Sequence, residues 1–197
     1  MPARLIFMIV IAFSVGGLAA FVLRNNVQTN VLQSGKALIG GPFSLTDQHG
    51  KRVTDKDFRG EYMLVEFGYT YCPDVCPTEL QVITNAMKKL GAKAQNIVPI
   101  FITIDPQRDT VQQMASYVSN FSPRLVGLTG TPEEIKAAAT AYRVYYAKAD
   151  ESAGDAYLMD HSTFIYLMDP NGEYVTHFAY GISADQLAER IAKAVAG

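Results

Sequence analysis

The sequence has few cysteines and no concentration of positive charge. Two of the 197 residues are cysteine, too few for the disulfide framework that holds many small secreted domains together. The formal net charge is −2, with no basic stripe and no run of lysine or arginine, which argues against nucleic acid as a partner. Charged residues make up 18% and hydrophobic residues 49%, and no repeat or low-complexity tract is visible, so the composition is that of a folded chain. The length fits one domain of ordinary size with an appendage.

A long stretch without charge lies near the start of the sequence, from Leu5 to Leu23. As a helix it spans roughly 28 Å, close to the ~30 Å of a hydrocarbon core. We therefore predict one N-terminal transmembrane helix, with a membrane anchor over residues 1–24, a polar linker over 25–37 and a folded domain over 38–197. A cleaved signal peptide is the alternative, because residues 17–19 (Gly-Leu-Ala) form a small-residue cleavage site.

This anchor also predicts a location. A single span after a short N-terminus normally leaves the large C-terminal part translocated. The sequence lacks an Arg- and Ser-rich transit segment at its start, which favours a bacterial protein. We therefore expect a single-pass inner-membrane protein whose domain faces the periplasm. The mitochondrial inner membrane, with the domain in the intermembrane space, is the alternative.

Helix and strand signals alternate along the rest of the chain. Capping patterns predict helices from Thr78, Thr131 and Ser183, and a fourth helix is predicted over 110–120. Strands are predicted over 63–68, 97–104, 125–128 and 162–168, with 173–178 returning from a Pro-Asn-Gly turn and a small hairpin near 43–50. This order predicts an α/β domain with a central mixed sheet flanked by helices, parallel in its first part and antiparallel in its last. A cysteine pair between a strand and a capped helix is typical of a thioredoxin-like fold.

The two cysteines, Cys72 and Cys76, are close enough in sequence to act together. A helix N-terminus stabilises negative charge, so we expect both thiols to have a lowered pKa. A thiolate is both a nucleophile and a soft metal ligand. Three uses therefore compete: binding of Cu(I) or Zn(II), thiol–disulfide exchange, and reduction of peroxides.

Metal binding needs at least one ligand beyond the two sulfurs, and the sequence offers three histidines. His177 falls in a predicted strand, where a half-exposed sheet residue is expected. His49 falls in a polar turn, where an ordinary surface residue is expected. His161 stands between a long polar loop and a strand, and in a thioredoxin-like sheet that loop lies beside the cysteines. Position alone leaves His161 open between a ligand and a loop histidine with local hydrogen bonds.

The two redox uses have weaker support in the sequence. Three residues separate the cysteines, where thiol–disulfide oxidoreductases usually have two, although a disulfide is not forbidden. The loop over 160–163 also contains no proline where those proteins carry a cis-proline facing the cysteines. Peroxiredoxin-like proteins have a threonine three residues before the reactive cysteine, whereas Thr70 stands two before Cys72.

Three ordered blocks of the sequence resemble the Sco/SenC family. Residues 69–77 read Tyr-Thr-Tyr-Cys-Pro-Asp-Val-Cys-Pro, residues 102–110 read Ile-Thr-Ile-Asp-Pro-Gln-Arg-Asp-Thr, and residues 160–172 run from Asp-His-Ser-Thr-Phe to Asp-Pro-Asn-Gly. The resemblance extends over roughly residues 38–195, and three blocks in order are far more specific than one Cys-x-x-x-Cys.

The resemblance implies that Cys72, Cys76 and His161 bind a copper ion. It further implies a metallochaperone, rather than primarily an enzyme, that helps to assemble the dinuclear copper centre of cytochrome c oxidase. Expected partners are the copper-site subunit of the oxidase and other copper chaperones or thiol reductases. A membrane-tethered thiol–disulfide oxidoreductase that reduces the target's cysteines, and a redox or copper sensor, are the alternatives. In the second block, Asp105, Arg108 and Asp109 either fix a loop or dock a partner.

Overall fold

The computed structural model describes residues 38–150, 152 and 154–196. The predicted anchor (1–24) and linker (25–37) lie outside these residues. In the part of the chain that is described, no helix has the length and apolarity needed to cross a membrane.

A seven-stranded mixed sheet forms the centre of the described domain, in the order β2-β1-β5-β4-β3-β8-β9. The nine strands of the described residues are β1 (Ser44–Asp47), β2 (Arg52–Thr54), β3 (Tyr62–Gly68), β4 (Ile97–Thr103), β5 (Val126–Thr129), β6 (Tyr146–Lys148), β7 (Met159–His161), β8 (Phe164–Met168) and β9 (Tyr174–Ala179). Strands β6 and β7 pair only with each other, as a separate two-stranded sheet.

The middle of the sheet is parallel and its flanks are antiparallel. Strand β4 pairs in parallel with β3 and β5, and all seven of its residues are buried. A parallel strand that is covered on both faces has a continuous apolar sequence, and this is why the strand could be predicted. Strand β8 pairs antiparallel with β3 and β9, and β1 pairs antiparallel with β5. These pairings confirm the predicted mixed sheet.

Within the described residues, four α-helices accompany the sheet: α1 (Val75–Leu90), α2 (Val111–Val118), α3 (Pro132–Ala141) and α4 (Ala184–Ala194). Short 3₁₀ helices cover Asp55–Phe58, Gly91–Asn96 and Gly154–Ala156. Helices α1 and α4 pack against each other, α2 packs on β5, and α3 packs on β1.

Three of the predicted helix starts are confirmed by their caps. Thr131 and Ser183 form capping boxes with Glu134 and Gln186, and the Thr110 hydroxyl accepts a hydrogen bond from the Gln113 backbone N–H.

The start predicted for the helix after the cysteines is wrong. Helix α1 begins at Val75 rather than after Thr78, and Asp74 is its N-cap. Pro77 is tolerated in this first turn because its missing N–H would have no intrahelical acceptor there. The earlier start places Cys76 inside the helix and turns Glu79 toward the interior, where it is 3% exposed.

Candidate metal and thiol site

The two cysteines lie where the central strand β3 passes into helix α1. Cys72 stands in the connecting loop and is partly exposed, whereas Cys76 is the second residue of α1 and is fully buried. Both are free thiols. The Cys76 backbone N–H points at the Cys72 sulfur at 3.4 Å, as expected for a group just before a helix N-terminus.

A buried carboxylate holds the loop that carries Cys72. Asp109 accepts hydrogen bonds from the Thr70 backbone N–H at 3.0 Å, the Thr70 hydroxyl at 2.6 Å and the Thr103 hydroxyl at 2.6 Å. This carboxylate therefore links the loop after β3 to the end of β4. Of the two roles left open for Asp109, fixing a loop is the one that the structure shows.

Gly68, the last residue of β3, allows Cys76 to pack closely against the sheet. A Cβ at this position would lie 2.8 Å from the Cys76 sulfur and 2.7 Å from a ring carbon of Phe101. Both neighbours are buried, so neither has free space to move into.

We expect Gly68→Ala to lower the free energy of unfolding by about 1–3 kcal/mol, because the added methyl overpacks the core behind the cysteines. Urea unfolding of the reduced protein measures this change. Gly41→Ala is the comparison, since its Cβ would come no closer than 3.2 Å to its neighbour, the Ala141 Cβ. Equal stabilities for the two variants would contradict the close packing at Gly68.

The structure makes the two thiols unequal. The pKa of Cys72 is lowered to about 3, chiefly because the Cys76 thiol donates a hydrogen bond to its sulfur. Burial opposes this shift, while His161 and the backbone N–H groups of Cys76 and Asp74 reinforce it. The pKa of Cys76 is raised, first by that same shared proton and then by burial and the charge of Glu66. The expectation of a lowered pKa is thus wrong for Cys76, because this thiol is buried and shares its proton with the Cys72 sulfur.

His161 reaches the cysteines from strand β7, which the sequence did not predict. Its partner in the two-stranded sheet is Tyr146 on β6. The Met159 backbone N–H donates to the Tyr69 hydroxyl at 3.2 Å, so the strand is also tied to the cysteine loop. The rings of Tyr69 and His161 meet edge to face, with centroids 6.1 Å apart.

The hydrogen bonds of the His161 ring fix which nitrogen faces the sulfurs. Nδ1 lies 3.0 Å from the Ser162 carbonyl oxygen, which can only accept, so Nδ1 carries a proton. Nε2 is the ring nitrogen that faces the cysteines, 3.7 Å from the Cys76 sulfur. In metalloproteins, a hydrogen bond of this kind at the other ring nitrogen orients an imidazole that binds a metal.

The other two histidines lie elsewhere. His49 is in the turn after β1, where its backbone N–H donates to the Asp47 carboxylate. His177 is on the edge strand β9, where its Nδ1 contacts the Tyr174 hydroxyl at 2.5 Å. Of the three histidines, His161 is therefore the one that the structure brings to the cysteines. In the described residues, no group of three His, Cys, Asp or Glu side chains is already arranged to hold a metal ion.

Two buried glutamates behind the cysteines were missed by the sequence analysis. Glu66 on β3 and Glu79 on α1 are 1% and 3% exposed, and no hydrogen-bond partner is seen for any of their four carboxylate oxygens. Burial, then the charges of Glu79 and Cys72, raise the pKa of Glu66 well above its usual range. Burial raises the pKa of Glu79 to about 7, while His161 acts in the opposite direction. For Glu66, the sequence signal that could have been used was a single charged residue within the apolar run of β3.

The sequence of the whole domain matches one family model. The SCO1/SenC model aligns with residues 32–196. The chain belongs to the SCO1/SenC family.

Several SCO1/SenC relatives are similar over most of the chain. It is 47% identical over 163 residues to "Protein SCO1 homolog 1, mitochondrial" of Arabidopsis thaliana, an alignment that covers 82% of this chain and 48% of the relative. It is 42% identical over 163 residues to "SCO2-like protein RP587" of Rickettsia prowazekii, covering 82% of this chain and 79% of the relative. The chain spans about half the length of the plant and human SCO1 relatives that it matches.

Solved SCO1/SenC structures share the fold. Arabidopsis thaliana ScoI with copper bound superposes with a TM-score of 0.76 at 46% identity, covering 80% of this chain and 98% of that chain. Bradyrhizobium japonicum ScoI with copper bound gives a TM-score of 0.72 at 47% identity, covering 79% and 98%. The predicted family and the thioredoxin-like fold are confirmed.

Proposed function

We propose that the protein binds one copper ion through Cys72, Cys76 and His161 and supplies it for assembly of the dinuclear copper centre of cytochrome c oxidase. The observation that carries the proposal is the position of His161 Nε2, 3.7 Å from the Cys76 sulfur. With metal–ligand bonds of about 2.0–2.3 Å, two ligands of one ion lie roughly 3.5–3.8 Å apart. The copper-bound structures of related ScoI proteins support the choice of metal.

The difference in pKa and exposure between the two thiols suggests an order in which they bind copper. Cys72, half-exposed and with a low pKa, offers a thiolate to an arriving Cu(I) ion. Cys76 then loses its proton to solvent as its sulfur bonds to the metal, so one proton leaves for each ion bound.

A rim position suits a donor of metal. Cys72 lies beside a pocket that also involves Pro73, Leu158 and His161, so another protein's thiolates can approach the ion from outside. Transfer then proceeds by ligand exchange, in which each incoming thiolate replaces one ligand of this site.

The test is a Cu(I) titration of the full-length chain against a chromophoric chelator. We expect one tight site when the cysteines are reduced and a loss of at least about 100-fold in affinity when they form a disulfide, because a disulfide offers no thiolate. His161→Ala should weaken binding about 10- to 100-fold, and the matched His177→Ala should not. Full affinity in His161→Ala would show that the histidine is not a ligand.

A second function is favoured by the same thiol pair. We propose that Cys72 can attack a disulfide of the target: its sulfur bonds to one target sulfur, and the other leaves as a thiolate. Cys76 then attacks the Cys72 sulfur, closing an internal disulfide and releasing the second target thiol. The reaction oxidises this dithiol and reduces the target. A His161→Ala variant that loses copper but still reduces the target would assign thiol reduction as a separate activity.

We also propose that residues 1–24 anchor the chain in a bacterial inner membrane with the domain in the periplasm. The uncharged run from Leu5 to Leu23 supports this placement. Protease added to intact spheroplasts should digest the domain, and protection from protease would contradict the orientation.

A further inference from the structure

Tyr157, four residues before His161, is held tightly by the loop between β4 and α2. The tyrosine is 5% exposed, and its hydroxyl donates to an Asp105 carboxylate oxygen at 2.7 Å. The Arg108 guanidinium lies 3.6 Å from the centre of the tyrosine ring and donates to the Tyr157 carbonyl at 2.9 Å. Arg108 and Asp105 are themselves an ion pair. Both the side chain and the backbone of Tyr157 are therefore fixed by two residues of another segment.

Arg108 also contacts the segment that carries the cysteines. Its guanidinium lies 4.8 Å from the ring centre of Tyr71 and 5.8 Å from that of Tyr69. These tyrosines stand one and three residues before Cys72. One arginine thus packs against residues from both sides of the candidate site, the cysteine loop on one side and the approach to His161 on the other.

The strand that carries His161 depends on contacts of this kind. Strands β6 and β7 are three residues each and form only a two-stranded sheet. An isolated two-stranded hairpin is marginally stable in water. The hydrogen bonds between β6 and β7 are therefore not enough by themselves to hold the His161 imidazole close to the cysteine sulfurs. Other contacts hold this strand in place. The Met159 backbone N–H of β7 donates to the Tyr69 hydroxyl of the cysteine loop. Just before β7, the Tyr157 carbonyl accepts a hydrogen bond from Arg108.

We propose that Arg108 and Tyr157, with Asp105, form a clamp that sets the distance between His161 and the cysteines, and that these are positioning residues for the site. The effect of the clamp on copper binding rests on the proposed copper function. The clamp itself is a property of the metal-free protein. Burial, followed by the hydrogen bond to Asp105, raises the pKa of Tyr157 to about 12, so the hydroxyl remains a donor at neutral pH.

Two measurements on Arg108→Ala test the clamp. In the metal-free, reduced protein, proton–proton NMR contacts between the His161 and Tyr69 rings should be strong in the wild type and lost in the variant. In a Cu(I) titration, affinity should fall about 10- to 100-fold, the range expected when groups that hold a metal-binding residue in place are removed. Arg190→Ala is the matched control, since that guanidinium also packs on an aromatic ring, 4.7 Å from the centre of Phe178 on β9, and should change neither measurement.

Variants of Tyr157 separate positioning from general stability. Tyr157→Phe keeps the ring under Arg108 and removes only the hydroxyl, so we expect a small loss of affinity, about 2- to 5-fold, in a fully folded protein. Tyr157→Ala removes the ring and the hydroxyl but keeps the backbone carbonyl that Arg108 binds, so its effects should lie between those of Tyr157→Phe and Arg108→Ala. If Arg108→Ala fails to fold, the Tyr157→Phe and Tyr157→Ala variants test the clamp by the same two measurements.

The outcomes distinguish the clamp from the copper proposal. Loss of the ring contacts together with weaker copper binding supports both. Loss of the ring contacts with unchanged affinity supports the clamp and overturns His161 as a copper ligand. Retention of the ring contacts in Arg108→Ala and Tyr157→Ala overturns the clamp, whatever the affinity.

Discussion

Replacing Cys76 with alanine is expected to raise the pKa of Cys72 from about 3 by more than about two units, a change of more than about 100-fold in proton affinity. The Cys76 thiol is the main donor to the Cys72 sulfur, and alanine has no proton to donate. The backbone N–H of residue 76 and His161 remain, so the pKa should stay below that of an ordinary cysteine. The ultraviolet absorbance of the thiolate, followed against pH in the metal-free protein, measures the shift.

The reciprocal variant is the control for this assignment. In Cys72→Ala the remaining thiol is Cys76, whose pKa is raised by burial and by the charge of Glu66 even without its partner. No thiol should then titrate in the acid range. A low-pKa thiolate signal that survives in Cys72→Ala would place the reactive sulfur at Cys76 and reverse the order of copper binding proposed above.

The buried glutamates should make the protein less stable as pH rises. A carboxyl whose pKa is higher in the folded state than in the unfolded state stabilises the fold when protonated, and that stability is lost as pH rises. For Glu79 the loss occurs between the ordinary value of 4.5 and its folded value of about 7. Glu66, with a pKa well above its usual range, extends the loss to higher pH.

Glu79→Gln should therefore flatten the pH dependence of unfolding. We expect the variant to gain about 1–3 kcal/mol relative to wild type on going from pH 5 to pH 8, because the buried charge that the wild type acquires is absent. Glu66→Gln should act in the same direction. Urea unfolding at the two pH values measures the difference, and the exposed Glu189→Gln is the control that should show none. A variant that follows the wild-type pH profile would mean that Glu79 is ionised at little cost in the fold.

Local patterns in the sequence were enough to predict most of the strands and helices. Strand β4 is a β-branched run buried on both faces, and such a run has few other stable conformations. Thr131 and Ser183 satisfy their own helix ends within one turn, so their caps need no distant partner. The same signals failed at Thr78, where the capping pattern lies inside a helix that begins at Val75.

The identities of Cys72, Cys76 and His161 came from motifs, but their spatial relation did not. Cys76 and His161, 85 positions apart in the sequence, are brought together by strand β7 and the Tyr69 hydroxyl, which no local pattern specified. Short strands such as β6 and β7 carry too few residues for a periodic signal.

By itself, then, the sequence determined the family, most of the order of strands and helices, and the candidate residues for the chemistry, because each depends on neighbours within a few positions. Only the tertiary structure decided which thiol is ionised, which nitrogen of His161 faces the sulfurs, and that Glu66 and Glu79 lie together in the interior. Those properties are set by burial and by groups distant in the chain, since electrostatic interactions act through space rather than along the sequence.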